Sequence, residues 1–236
     1  MTAERWAQTV RRQVGLGRLL PLGGPRDGAW ISEEAAEAAL RRAAGKMPGV
    51  RLDVLRIALA DPEDARDPAV PPPPSALPPG PLRVTVEFAA TAAVPLPATA
   101  VLVRTTLTAA ARERLGLEVA EVDLRVTALL DEEPEPLPVR QPDPPRATEP
   151  GPDDEGRAAA AALAVPGVAH LTAGLGRAVQ LAERPAANAL PRRHARVELA
   201  VAADHRASDV ALQVRTAVRN ALPDRPTVAV LVTAAG

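Results

Sequence analysis

Three histidines, two glycine pairs and one dense basic run are the residues of this chain whose types could do chemistry. His170, His194 and His205 complete neither H-x-x-x-H nor H-E-x-x-H, and no carboxylate stands at ligand spacing beside them. No metal ligand is assigned. His205 follows Asp204 where a strand should give way to a helix, so a turn hydrogen bond is its expected role. Gly15-Leu16-Gly17 and Gly174-Leu175-Gly176 begin like phosphate loops, but Leu20 and Val179 stand where a third glycine is needed. Both pairs read as turn glycines, and no cofactor-binding residue follows from them. Ser32, Ser75 and Ser208 lack a Gly-x-Ser-x-Gly elbow and read as caps or loop. Without Cys there is no thiolate nucleophile, disulfide or Cys-ligated metal. No catalytic residue is assigned, and the chain reads as a non-enzyme.

The densest basic cluster is Arg192, Arg193, His194 and Arg196, with Arg184 nearby. From Arg157 onward ten arginines face five carboxylates, whereas Asp131 to Gly156 holds nine carboxylates and two arginines. Two readings stay open: a solvated loop and strand edge, or a surface for an anionic partner such as RNA or membrane phosphate. Missing aromatics weaken RNA, which needs stacking platforms. The charge asymmetry predicts that the acidic tract lies partly over Arg192, Arg193 and Arg196.

The 236 residues carry a net charge of -1, are 47% hydrophobic and 24% charged, and include 27 prolines. This describes a folded chain with an aliphatic core, since Trp6, Trp30 and Phe88 are its only aromatics. No apolar run is long enough for a membrane span, and no signal peptide opens the chain. The near-zero charge argues against a dedicated nucleic-acid binder.

Seventeen of the prolines lie in Pro62–Pro81 and Pro134–Pro152. Proline removes a backbone donor, so 62–81 and 131–156 are expected to lack regular helix or strand. Removing them leaves two similar blocks. In the first, Ser32, Glu33 and Glu34 cap an Ala-rich helix that stops at Met47-Pro48-Gly49-Val50. In the second, an Ala-rich run from Ala158 to Ala164 stops at Val165-Pro166-Gly167-Val168. Alternation at Leu82, Val84, Val86 and Phe88 predicts a strand, matched by Val197, Leu199 and Val201. A helix from about 98 to 115 carries Val103, Leu107 and Ala110 on one face; its counterpart, 208–222, carries Val210, Val214, Ala217 and Ala221. Closing strands follow at Val122, Leu124, Val126 and at Val228, Val230, Val232. This order predicts an internal duplication pairing Val50 with Val168, Val84 with Val197 and Val126 with Val232.

The Val165-Pro166-Gly167-Val168 corner, Val197 to Val201, Val210-x-x-x-Val214-Arg215-x-x-Val218 and Val228 to Thr233 resemble the unit of the alkaline-shock, or envelope stress response, family of small bacterial proteins. Two-copy chains of this length also resemble actinobacterial proteins with a nucleopolyhedrovirus-type family label, a name that implies no viral function. The resemblance implies an α+β fold, self-association and a link to the cell envelope; it carries over no catalytic residues.

The expected fold is therefore α+β, two tandem-duplicated small sheet-plus-helix units joined by a Pro-rich acidic linker. The expected divisions are an N-terminal amphipathic helix (Trp6, Val10, Val14) and loop over 1–31, a first copy over 32–130 with its insertion at 62–81, the linker over 131–156, and a second copy over 157–236. The expected function is a non-enzymatic interaction or scaffold protein related to envelope stress response, without cofactor. It would act in the cytoplasm or at the inner face of the membrane, with a protein partner, self-association and weak peripheral membrane contact through the first helix. The alternative is an anion- or nucleic-acid-binding regulator using the basic second copy, with nucleic acid the less favoured ligand.

Overall fold

The computed structural model describes residues 17–135, 138–140, 142–148, 151–186 and 189–236; the helix expected around Trp6 lies outside them. The architecture is mixed α and β, with two sheets. The expected loop at 17–31 instead contains two strands, β1 (Leu19–Pro21) and β2 (Ala29–Ser32). They are too short to show a period, and β2 gains its partner only in space, lying parallel to the last strand of the chain.

Helix α1 (Glu33–Ala44) starts where Ser32 Oγ accepts from the Ala35 amide at 3.3 Å, and Glu33 and Glu34 oppose its dipole. It ends at the Met47-Pro48-Gly49 corner, where Gly49 takes a φ of 69°. A side chain there would be strained and would meet Thr91. Strand β3 (Val50–Leu59) then pairs antiparallel with β4 (Leu82–Thr91). Helix α2 (Leu96–Ala109), widened into a π turn over Ala110–Leu115, crosses back to β5 (Val119–Leu130), which lies parallel to β4. Val103, Leu107 and Ala110 are buried, as their spacing predicts.

The second half follows the same order. Helix α3 (Asp154–Leu163) leads through Val165-Pro166-Gly167 to β6 (Val168–Leu171) and β7 (Val179–Ala186), both antiparallel to β8 (Ala189–Val201). Helix α4 (Ala207–Ala221) crosses to β9 (Thr227–Ala235), parallel to β8. Asp153 Oδ1 accepts from Gly156 N at 2.8 Å, so α3 begins inside the range expected for the linker. Its Asp cap and first-turn acids are the same start signal that Ser32, Glu33 and Glu34 give α1.

Each parallel pair carries a bulge at the same place. Phe88 faces Val126 and Ala89 faces Ala128, leaving Thr127 extra; Leu199 faces Val232 and Ala200 faces Ala234, leaving Thr233 extra. Thr127 Oγ1 lies 3.1 Å from the Phe88 carbonyl, and Thr233 Oγ1 lies 3.3 Å from that of Leu199. Counted from the bulges, Val126 stands where Val232 does. The place of Val197 is held by Val86, not by the expected Val84, because period-two alternation fixes the face of a strand but not its register.

The halves share a core. Its buried cluster runs from Leu20 through Phe88 and Leu107 to Val197 and Val232, with α1 packed against both β3 and β9. A side chain on Gly116, φ 84°, would strike Ser208 of the other half. Outside this core, Leu19, Trp30, Val70, Ala229 and Leu231 form a second cluster on the outer face of the larger sheet. Residues 62–81 are nearly free of regular structure, with one 3-10 turn at Pro62–Asp64. They are not a simple surface insertion, because Val70 is buried and Leu77 O accepts from Trp30 Nε1 at 3.2 Å.

Candidate anion-binding cleft

At the start of β8, the end of α4 and the turn before β9 lies a cleft of about 580 Å³ lined by Arg192, Arg193, Arg215, Arg219 and Arg225. Among the described residues Glu183 and Asp224 are the only acids in its lining. Helix periodicity puts Arg215 and Arg219 on one face of α4, four residues apart. Arg225 is carried on a left-handed turn, φ 45°, immediately before the strand.

The five arginines differ in their freedom. Arg193 is held by Asp154 at 2.8 Å and Asp224 at 3.3 Å. The first of these contacts, with Arg157 adding to it, holds the Asp154 carboxyl below its ordinary range. Arg215 donates to the carbonyl of Arg26. Arg192, Arg219 and Arg225 are exposed and have no ion-pair partner among the described residues. The cleft can therefore offer several forked donors to a carboxylate or phosphate. Among the described residues no aromatic side chain lines it.

The structure splits the basic cluster that the sequence presents as one run. Arg192 and Arg193 reach the cleft, whereas Arg196 lies deeper along β8 and touches Glu198 at 3.3 Å. Glu198 is fully buried and accepts from Leu175 N at 3.0 Å, yet its Oε1 and Arg196 Nε have no hydrogen-bond partner. The charges touch without hydrogen-bond alignment. Desolvation outweighs that attraction and pushes the Glu198 carboxyl up to about 7. The Gly174-Leu175-Gly176 pair thus wraps a carboxylate of its own chain.

His194 is buried beside Arg184 and Arg196, pushed down to about 4 chiefly by burial, with Nδ1 2.9 Å from Thr227 Oγ1. Burial also lowers His170, with Arg146 adding to it. His205 Nδ1 meets Asp204 Oδ1 at 2.8 Å, the turn contact its position predicts. Among the described residues no three His, Cys, Asp or Glu groups gather closely enough to hold a metal ion. No helix among them is long and apolar enough to cross a membrane.

The acidic tract follows the expected course only in part. Elsewhere along it, Glu133 Oε1 accepts from Gly49 N at 3.2 Å, and Pro145 to Ala147 bond to Leu171 and Ala173 beside β6. Among the described residues of 131–156 only Asp154 pairs with the cluster, at Arg193. The tract is held by the Glu133 side chain at the corner and by its backbone along β6, which surface charge attraction is too weak to outweigh. Sequence reasoning missed Arg215, Arg219 and Arg225, although the four-residue spacing of the first two was visible.

No protein-family model matches the chain, and neither a curated protein nor a solved structure matches it.

Proposed function

We propose that this chain is a non-enzymatic interaction protein whose second half docks an acidic partner in the arginine cleft. The observation that carries the reading is the convergence of Arg192, Arg219 and Arg225, none ion-paired among the described residues, on one cleft from three separate elements. An acidic protein segment fits better than RNA, because the cleft offers forks for carboxylates and, among the described residues, no ring on which a base could stack.

The same reading takes the chain as an internal duplication. The shared order of elements and the Thr127 and Thr233 bulges support it. The relation to envelope stress proteins, with action in the cytoplasm or at the inner membrane face, rests on the Val-Pro-Gly-Val corner and the valine-rich strands described above.

Retention on heparin and on polyglutamate at rising salt tests the docking surface. Exposed arginines predict binding at low salt that weakens as salt rises. Reversing Arg192, Arg219 and Arg225 to Glu should abolish retention on both without altering the circular dichroism spectrum. Unchanged retention in that variant would remove the cleft from the reading. Retention on RNA that exceeds retention on polyglutamate would move the assignment to nucleic acid.

A further inference from the structure

The geometry points to the outer edge of β5 as the contact through which two copies of this chain pair, strand against strand, in one charge-selected register. Strand β9 follows β8 as β5 follows β4, but β9 has its outer edge covered by β2. Among the described residues no strand pairs with the outer edge of β5, although it is twelve residues long. The opposite edge of the small sheet is blunted: Arg41 donates to the carbonyls of Leu52 and Asp53, and Arg18 to that of Ile57. On β5, among the described residues, only the exposed Arg104 intervenes, its Nε 3.3 Å from the Val122 carbonyl. A long open edge of this kind is a template for a further strand.

Arg104 also shows which groups are free. The Val122 carbonyl faces away from β4, and the run from Glu121 to Val126 pairs without irregularity, so Leu124 and Val126 point their N–H and C=O groups the same way. An antiparallel copy must set these residues against their own kind, which leaves registers differing by two. Placing Leu124 opposite Leu124 of the second copy makes Val122 face Val126 and exchanges both backbone bonds in each pair. On the other face, Asp123 then stands opposite Arg125, twice over. Shifting one way puts Asp123 against Asp123; shifting the other puts Arg125 against Arg125. Opposite charges directly across a ladder stabilise and like charges destabilise, so charge selects the Leu124-centred register.

The groups that would be covered are exposed in the single chain. Arg125 is 77% and Asp123 61% exposed at the side chain, each only loosely held by Glu87 at 3.3 Å or Arg83 at 3.5 Å. On the helix-facing side Val126 and Leu129 are exposed. Val101, 60% exposed, lies one turn before Arg104 on the side of α2 that reaches β5. In the paired arrangement the two α2 helices lie on the same face and Val101 approaches its copy.

Sedimentation equilibrium of the full chain tests this contact through a charge swap. The wild type should form dimers as concentration rises. Asp123→Arg sets arginine against Arg125, and Arg125→Asp sets aspartate against Asp123, so each single variant should shift the equilibrium to monomer. The double variant D123R/R125D restores opposite charges and should restore the dimer. A wild type that stays monomeric at every concentration reached overturns the proposal. So does a dimer unaffected by the single changes, or one that both single changes weaken and the double change fails to rescue. These side chains lie outside the core, and unchanged circular dichroism in all three variants separates loss of pairing from loss of fold.

Discussion

Thr172 Oγ1 and Thr233 Oγ1 lie 2.7 Å apart in the interior of the larger sheet, both hydroxyls buried. A hydroxyl has one proton, and Thr233 gives its own to the Leu199 carbonyl, so Thr172 must be the donor between them. In the small sheet the matching threonine, Thr127, lies 2.7 Å from Asp53 Oδ2. With Arg51 adding to it, that contact holds Asp53 below its ordinary range.

Thr233→Val should therefore cost about 1–3 kcal/mol, the range for stranding a buried hydroxyl such as that of Thr172. Thr127→Val should cost less than about 1 kcal/mol, because water can replace the lost partner at an exposed site. Adding Thr172→Val to Thr233→Val should recover part of the loss. Urea denaturation of the three variants checks the order, and equal costs at the two threonines would contradict it.

Glu198 makes stability depend on pH. Its folded value, raised to about 7 from the ordinary 4.5 of a glutamate, means that the native state holds this proton more tightly than the unfolded chain does. The associated stability is present in full below the unfolded value and is lost as pH rises through the folded one. Glu198→Gln lacks that proton equilibrium, so its stability relative to wild type should climb between about pH 4.5 and 8, by on the order of 3 kcal/mol in total. The slope is the readout, since loss of the partner of Arg196 offsets the whole curve. A flat difference would show that Glu198 is ionised throughout.

Removal of residues 66–79 tests the Pro-rich segment. The cut ends are compatible, because Arg66 N and Pro79 O are 2.8 Å apart, and loop entropy alone favours a tolerated deletion. Burial argues the opposite: the deletion strips Val70 and Ala76 from Leu19, Trp30, Ala229 and Leu231. It also removes the Leu77 carbonyl from Trp30 Nε1. A loss of about 3 kcal/mol or more is expected, comparable with emptying a core position. A deletion variant that melts with the wild type would show that the outer cluster contributes nothing.

Features written in local chemistry were legible from the residues alone. Ser32 and its acids start a helix, Pro-Gly corners stop two, and alternation marks β4, β5, β8 and β9. These signals act within a few residues, so they survive without knowledge of neighbours. The polar turn at Asp204-His205 belongs to the same class. The rest depends on packing between parts of the chain distant in sequence. Strand β2 has its place because it pairs with the edge of β9, and Val70 of the Pro-rich segment is buried because it packs against Trp30 and Leu231. Arg196 and Arg192 have the same side-chain chemistry in one basic run, yet one is sunk against Glu198 and the other stands at the mouth of a cleft. A strand's period tells which residues share a face; what covers that face, and at what register, is set by parts of the chain far away in sequence.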